Sequence, residues 1–198
     1  GGHVSAMTVD FGGIDLYETK RAELGPDPLR PDADPERLFE RIQRPRARTK
    51  PIGAAIMDQS WIAGIGNIYR CEILFRAGIH PEQPCGTLDR VQMQRIWDES
   101  AWCLQRGFEK GSILTVDPLE GLPEPWKRRY IYNHKRCGRC RSPIISWDMA
   151  ARTSYACSGT CQPLKLEGGV AGLTAARQKA YAAARQHKSF ISHCAPEP

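Results

Sequence analysis

The chain has 198 residues and a formal net charge of +6, and its composition is 41% hydrophobic and 25% charged. These values allow one large domain or two small ones around a packed core, and they exclude a disordered chain. No apolar run approaches the roughly 20 residues of a membrane span, and no secretory signal pattern is visible. We therefore expect no membrane partner and an intracellular location.

The segment from residue 51 to residue 84 predicts two helices separated by a small-residue turn. Residues 52–59 favour a short apolar helix, and the turn ends at Gly66. Asn67 is then expected to cap the next helix, and Gly78 is expected to end it. The apolar residues of that helix recur on one face: Ile68, Cys71, Leu74 and Phe75.

A third helix is predicted over residues 88–108. Its expected core positions are Val91, Ile96, Trp97 and Leu104. Cys103 in this helix and Cys71 in the preceding one have apolar neighbours, where a free thiol behaves as a small hydrophobic group. Unpaired core thiols indicate a reducing, intracellular compartment.

The glycine turn before Asn67 has two interpretations. Glycines bring backbone N–H groups to a helix N-terminus with no side chains in the way, and a DNA phosphate would fit there. The alternative is a plain helix start. The turn lacks the third glycine of a dinucleotide site and the lysine of a nucleotide-binding loop.

A basic window lies between residues 127 and 161. It contains eight lysines and arginines against one acidic residue, Asp148. A local field of this sign suits a polyanion such as nucleic acid, and the alternative is an ordinary solvated surface.

Four cysteines in the same window form two close pairs, Cys137 with Cys140 and Cys157 with Cys161. The interval between the pairs contains β-forming residues, so we predict a β-hairpin closed by a metal. Two such pairs are typical of a structural zinc site with four thiolate ligands and no open coordination position. The alternatives are two disulfides or a redox pair, but a redox site needs only one pair.

The glycine turn between helices and the two cysteine pairs, in this order, are specific to one protein family. The sequence MDQSWIAGIGNIYRCEILFRAGIHP, followed later by YIYN, CGRC and ARTSYAC, resembles the formamidopyrimidine-DNA glycosylase and endonuclease VIII family over roughly residues 24–161. The segments RTKPIGAAIMDQ and EGLPEPWKRRYIY resemble the endonuclease VIII side more closely. Some members place a lysine at the position of Gly53, and that charge is absent here.

The resemblance implies roles for individual residues. Arg152 matches the ribbon-loop arginine that reaches phosphates flanking the lesion, and Asn67 matches an asparagine that donates to the same backbone. Gly66 belongs to the same DNA-binding turn. Without the resemblance, Arg152 would be a surface arginine and Asn67 only a helix cap.

The chemistry of the family lies at the other end of the chain. There an N-terminal proline amine attacks the sugar and a neighbouring glutamate handles protons. This sequence begins with Gly1 and has no Pro-Glu start. We therefore expect a remnant of the N-terminal β-sandwich, with strands at residues 6–10 and 13–17, in a chain that is the C-terminal two-thirds of a glycosylase. We assign no catalytic residue in it.

Residues 162–198 extend beyond the ribbon. Residues 173–188 are alanine-rich and predict a basic helix that is either an arm on DNA or a loosely attached solvated helix. A second metal site at His187, His193 and Cys194 is a minor alternative.

The predicted fold class is mainly α with a small β zinc ribbon, in which a helix–two-turns–helix domain follows the β-sandwich remnant. The predicted boundaries are 1–23 for the remnant, 24–120 for the helical domain and linker, 121–161 for the ribbon and 162–198 for the extension. The expected parent function is base excision repair of oxidised bases by glycosylase and apurinic-site lyase steps, and this chain is expected to be inactive by itself. The alternative is a non-catalytic zinc-ribbon DNA-binding protein.

The expected cofactor is one structural Zn²⁺. The expected partner is double-stranded DNA, damaged or apurinic, and the expected oligomeric state is a monomer.

Overall fold

A computed structural model of the chain describes residues 9–166, 169–175, 178–179 and 182–183. In chain order its main elements are α1 (Ile14–Glu23), α2 (Glu36–Gln43), α3 (Ile52–Ala55), α4 (Asn67–Ala77), α5 (Arg90–Lys110), β1 (Ile144–Met149) and β2 (Arg152–Cys157). The two strands pair antiparallel and form the one sheet within the described ranges. The predicted fold class, mainly helical with a small β ribbon, is confirmed for this part of the chain.

The N-terminal segment differs from the prediction. The strand expected at residues 13–17 is wrong, because helix α1 occupies that position. Its Leu, Glu, Lys and Ala residues are strong helix formers, and no strand in the described ranges lies beside it to pair with. Most of the strand expected at residues 6–10 lies outside the described residues. The assignment of residues 1–23 to a β-sandwich remnant stays a prediction.

Helices α4 and α5 pack against each other and carry the first core. Helix α4 ends at Gly78, which is left-handed with φ 69°, as the glycine stop predicts. Helix α5 begins with a capping box between Asp89 and Gln92, two residues later than predicted. Ile96 and Leu104 are buried as expected, but Val91 is 66% exposed.

The short helix α3 covers only the first half of the predicted range 52–59. The chain leaves the helix at Ile56 and turns at Asp58, whose side chain accepts hydrogen bonds from the backbone and hydroxyl of Ser60. Gly53 in α3 has no room for a side chain, because an added Cβ would lie 2.8 Å from the sulfur of Met149.

Helix α4 lies between two cores. Ile73 and Leu74 belong to the first, which contains α2, α3 and α5, whereas Cys71 and Phe75 belong to a second core with the cysteine knuckles. The face of the hairpin that points away from the second core forms a third cluster together with Leu173. Its hairpin members are Ile145, Trp147, Met149 and Ala156. The ribbon is therefore attached to the helical domain mainly through α4.

None of the helices in the described ranges has the length and apolar character that crossing a bilayer requires.

The connection from α5 to the ribbon is held by a buried carboxylate on α4. Glu72 is fully buried and accepts backbone N–H bonds from Tyr130 at 2.7 Å, Ile131 at 2.9 Å and Tyr132 at 2.7 Å. Its Oε2 also accepts the hydroxyl of Thr115 at 2.6 Å. Four donors satisfy both oxygens, so the charge needs no ion pair.

Replacing Glu72 with Gln should lower the free energy of unfolding by about 3 kcal/mol, because the new amide NH₂ would face backbone donors and leave them unsatisfied. Chemical denaturation of both proteins measures the difference. Glu109→Gln, at an exposed position of α5, is the matched control and should change it by less than about 0.5 kcal/mol. Equal effects of the two substitutions would contradict the anchoring role of Glu72.

Candidate metal centre and nucleic-acid interface

The four ribbon cysteines converge on one point. Their sulfurs all lie within 4.8 Å of one another, with 3.9 Å between Cys137 and Cys161 and 3.4 Å between Cys140 and Cys157. None of the four is in a disulfide. Sulfur ligands at ~2.3 Å from a tetrahedral ion lie roughly 3.8 Å apart, so these residues could hold a metal ion. They are the one group of three or more His, Cys, Asp or Glu in the described ranges with that property.

The turns that present the cysteines are closed by the backbone. The backbone N–H of Cys137 donates to the carbonyl of Ser142 at 2.9 Å, and the sulfur of Cys157 accepts the N–H of Gly159 at 3.3 Å. Gly159 does not have a positive φ. It is required for space, because an added Cβ would lie 2.3 Å from Ser142 Oγ and 3.1 Å from Cys140 Sγ.

The crowded thiols differ in acidity. The nearby thiol of Cys157 lowers the pKa of Cys137 to about 5, and the same interaction raises the pKa of Cys157. Burial, together with the negative charge of Cys137, raises the pKa of Cys161 to about 12. Four thiolates cannot coexist here without a cation, so the cluster is suited to bind one.

The other end of the hairpin forms a tight turn. Ala150 and Ala151 both have positive φ, 53° and 57°, which is the two-residue turn whose twist matches paired strands. Alanine is disfavoured in this region by roughly 1–2 kcal/mol per residue, so the turn is held by its surroundings. Arg152 follows at once, opposite Met149. Its side chain is exposed and makes no hydrogen bond or ion pair with the residues that the structure describes, whereas its backbone is paired within the hairpin.

Asn67 lies beside this tip, although not as a helix cap. The cap of α4 is Gly66, which is extended and open to solvent, and Asn67 is the first helical residue. The expected capping role is therefore wrong. The amide Nδ2 of Asn67 donates to the carbonyl of Thr153 at 3.0 Å across 86 positions of sequence. The structure thus places Gly66, Asn67 and Arg152 in one surface region.

A residue that the sequence reasoning missed lies beneath this region. Arg70 has no exposed surface, and its guanidinium donates to the carbonyl of Met149 at 3.0 Å and to that of Arg152 at 3.4 Å. It also donates to Oδ1 of Asn67. An arginine one helical turn after Asn67, between apolar neighbours, was the signal that could have identified it.

Part of the basic window is used inside the fold. Arg139 forms an ion pair with Glu120 at 2.6 Å, and the guanidinium of Arg141 lies 3.7 Å from the ring centre of Trp126. Such groups are partly neutralised or held against aromatic rings. The free surface charge near the hairpin tip is therefore carried by fewer residues than the sequence count suggests, and Arg152 is one of them.

The C-terminal extension is partly described. Leu173 is buried against the hairpin, and Leu164 and Leu166 pack on the same cluster, so these three residues attach the extension to the ribbon. Residues 175, 178, 179, 182 and 183 are helical, in agreement with the predicted helix at these positions. The suggested second metal site at His187, His193 and Cys194 lies outside the described residues.

The fold and the site define a class: a helical domain with a four-cysteine ribbon docked on one helix. Residues 24–117 match the formamidopyrimidine-DNA glycosylase H2TH domain. Endonuclease 8 1 of Mycobacterium tuberculosis (strain H37Rv) is 36% identical over an alignment of 148 residues that covers 71% of this chain and 54% of that protein. Formamidopyrimidine-DNA glycosylase of Thermomicrobium roseum is 35% identical over an alignment of 165 residues that covers 78% of this chain and 56% of that protein.

A solved structure gives the same result. The complex between the Lactococcus lactis Fpg and an abasic site containing DNA has a TM-score of 0.60 and 25% identity, covering 75% of this chain and 55% of that one. This chain belongs to the formamidopyrimidine-DNA glycosylase and endonuclease VIII family. It spans about half the length of the curated relatives it matches. The near-equal identities to both kinds of relative give only weak support to a closer kinship with endonuclease VIII.

Replacing Cys157 with Ser should abolish stoichiometric metal binding, because the three remaining thiolates no longer complete the tetrahedron. A chelator should unfold the ribbon of the unmodified chain, since site formation and folding are coupled. Metal analysis and circular dichroism measure the two effects.

The matched control is Cys103→Ser, which removes a thiol from the other core and should keep the full metal content. Fresh protein that contains no metal, or in which the four ribbon thiols are oxidised, would contradict the metal centre.

Proposed function

We propose that this chain forms the DNA-gripping part of a base excision repair glycosylase and apurinic-site lyase that acts on oxidised bases. The observation that supports this most is the meeting of Asn67 and Arg152 at one surface, through the contact of Asn67 with Thr153. Both positions match those that the family resemblance assigns to phosphate contacts. The preference for double-stranded, damaged DNA and the intracellular, DNA-associated location are parts of the same proposal.

The geometry suits a phosphate. Arg152 offers a planar fork of donors that is free of internal partners. Asn67 has a second N–H that no described residue accepts, and the first backbone N–H groups of α4 have no intrahelical acceptor. Gly66 leaves the approach open, since an added Cβ there would meet nothing within 4 Å. The positive end of the α4 dipole adds to the attraction.

The ion in the ribbon is proposed to be zinc. Four thiolates in two turns are the ligand set that Zn²⁺ prefers for structural sites, and a closed set leaves no position for a substrate. Its role would be to fix the hairpin, and no catalytic step is assigned to it.

The amine nucleophile and its glutamate are proposed to come from the part of the relatives that this chain does not span. None of the site residues named here, Gly66, Asn67 and Arg152, is proposed to form a covalent bond with DNA. The second candidate function is a non-catalytic DNA-binding ribbon protein. The observation that favours it is that Gly66, Asn67 and Arg152 could all contact phosphates without any nucleophile.

Arg152→Ala and Asn67→Ala should each weaken binding to duplex DNA by about 1–3 kcal/mol, because each removes a donor to phosphate. Arg152→Ala should also reduce the slope of log affinity against log salt by about 0.9, which corresponds to one phosphate contact. Fluorescence anisotropy over a salt series measures both quantities.

The matched control is Arg90→Ala, an exposed arginine at the start of α5 whose partner is Glu36. It should leave the affinity and the slope nearly unchanged. If Arg152→Ala leaves the slope as it was, Arg152 is only a surface charge.

The 198-residue chain should bind a duplex that contains an apurinic site and should form no covalent adduct with it under borohydride. The reason is that a Schiff base needs a positioned amine, and none is assigned to this chain. A full-length relative in a parallel lane should be trapped. An adduct of the short chain at a similar rate would overturn the assignment. If the intact parent of this chain also gives no adduct, the non-catalytic candidate is favoured.

A further inference from the structure

Arg70 is a buried cation without an acidic partner. It is 0% exposed, and its described partners are three carbonyls and one side-chain amide, with no carboxylate among them. Its Nε has no hydrogen-bond partner among the residues that the structure describes. Burying an unpaired charge is costly, and the desolvation lowers the pKa of Arg70. The groups that accept hydrogen bonds from the guanidinium therefore stabilise it, and it in turn restricts their positions.

The first effect concerns Asn67. A guanidinium only donates, so the amide atom that faces Arg70 must be the oxygen. A carbonyl only accepts, so the atom that faces Thr153 must be the nitrogen. These two contacts fix the orientation of the amide and leave one N–H of Asn67 for an outside acceptor.

The second effect concerns the hairpin tip. One nitrogen of Arg70 reaches the carbonyl of Met149 at 3.0 Å, and the other lies 3.4 Å from that of Arg152. These two residues close the tight turn. Helix α4 and the backbone at Arg152 are therefore held by a single planar group, which limits the relative movement of Asn67 and Arg152.

We infer that Arg70 is a positioning residue, which sets the amide orientation of Asn67 and the place of Arg152 so that both reach the phosphate backbone together. This inference rests on the proposed function, since the benefit appears only when DNA binds. Arg70 itself is buried and does not contact DNA. Its effect should thus depend on the two residues it holds.

A mutant cycle tests this dependence on the full chain. Arg70→Met should weaken binding to duplex DNA about tenfold, which matches the loss of one charge-assisted hydrogen bond. In the Asn67→Ala, Arg152→Ala background, the same substitution should change affinity by less than about twofold. A tenfold loss in both backgrounds would overturn the inference, because Arg70 would then act without the residues it is said to hold.

The matched control is Arg76→Met, at the other end of the same helix. Arg76 is also largely buried, and it forms an ion pair with Glu99 and lies over Trp102. Its replacement should lower thermal stability while affinity stays within about twofold, as expected for a residue far from the tip. Loss of affinity in proportion to stability in both variants would indicate a purely structural role for Arg70 and overturn the inference.

A spectroscopic measurement tests the geometry without DNA, and its first part uses only the unmodified chain. In the unmodified chain, one of the two side-chain amide protons of Asn67 should be protected from exchange with solvent, and the other should exchange freely. In Arg70→Lys, which keeps the charge but not the fork, that difference should disappear. Equal exchange of both protons in the unmodified chain would overturn the inference. If the unmodified chain shows the protection and yet does not bind DNA, the proposed function fails while the positioning geometry stands.

Discussion

The structure depends on the buried carboxylate of Glu72. Its two oxygens gather three successive backbone N–H groups of the segment that leads into the ribbon, and the hydroxyl of Thr115 completes the set. Burying a charge is tolerated here because every lone pair has a donor. The contact fixes where the ribbon starts relative to α4.

Two residues earlier on the same helix, the positively charged Arg70 also holds backbone groups of the ribbon. It supplies donors to carbonyls at the hairpin tip, whereas Glu72 supplies acceptors to N–H groups at the ribbon's entrance. The two charges are not hydrogen-bonded to each other. Helix α4 thus acts as a rigid support that holds the ribbon at two places by matching backbone polarity, and the apolar contacts of Cys71 and Phe75 fill the space between them.

The four cysteines lie at the end of the hairpin that is far from the turn at Ala150 and Ala151. Strand β2 has Cys157 at one end and Arg152 at the other, roughly 17 Å apart at the usual rise per residue. A metal ion at the first end would close the knuckles, while Arg70 fixes the second. The proposed phosphate site at Asn67 and Arg152 would therefore depend on a metal centre that does not touch it and on the N-terminus of α4.

The sequence by itself determined the features that are written in short, local patterns. The two cysteine pairs, the glycine stop at Gly78 and the amphipathic helix α5 follow from spacing and from backbone preferences that neighbouring residues impose. The family resemblance rests on the same local motifs, and it pointed to Asn67 and Arg152.

The tertiary structure decided the remaining features, because they depend on partners distant in sequence. It decided that residues 14–17 are helical with no strand of the described ranges beside them, and that Val91 faces solvent. It placed Asn67 one residue inside its helix against Thr153. Above all, the tasks of Glu72 and Arg70 are set by backbone groups up to 82 positions away, and no periodicity along the chain records such a contact.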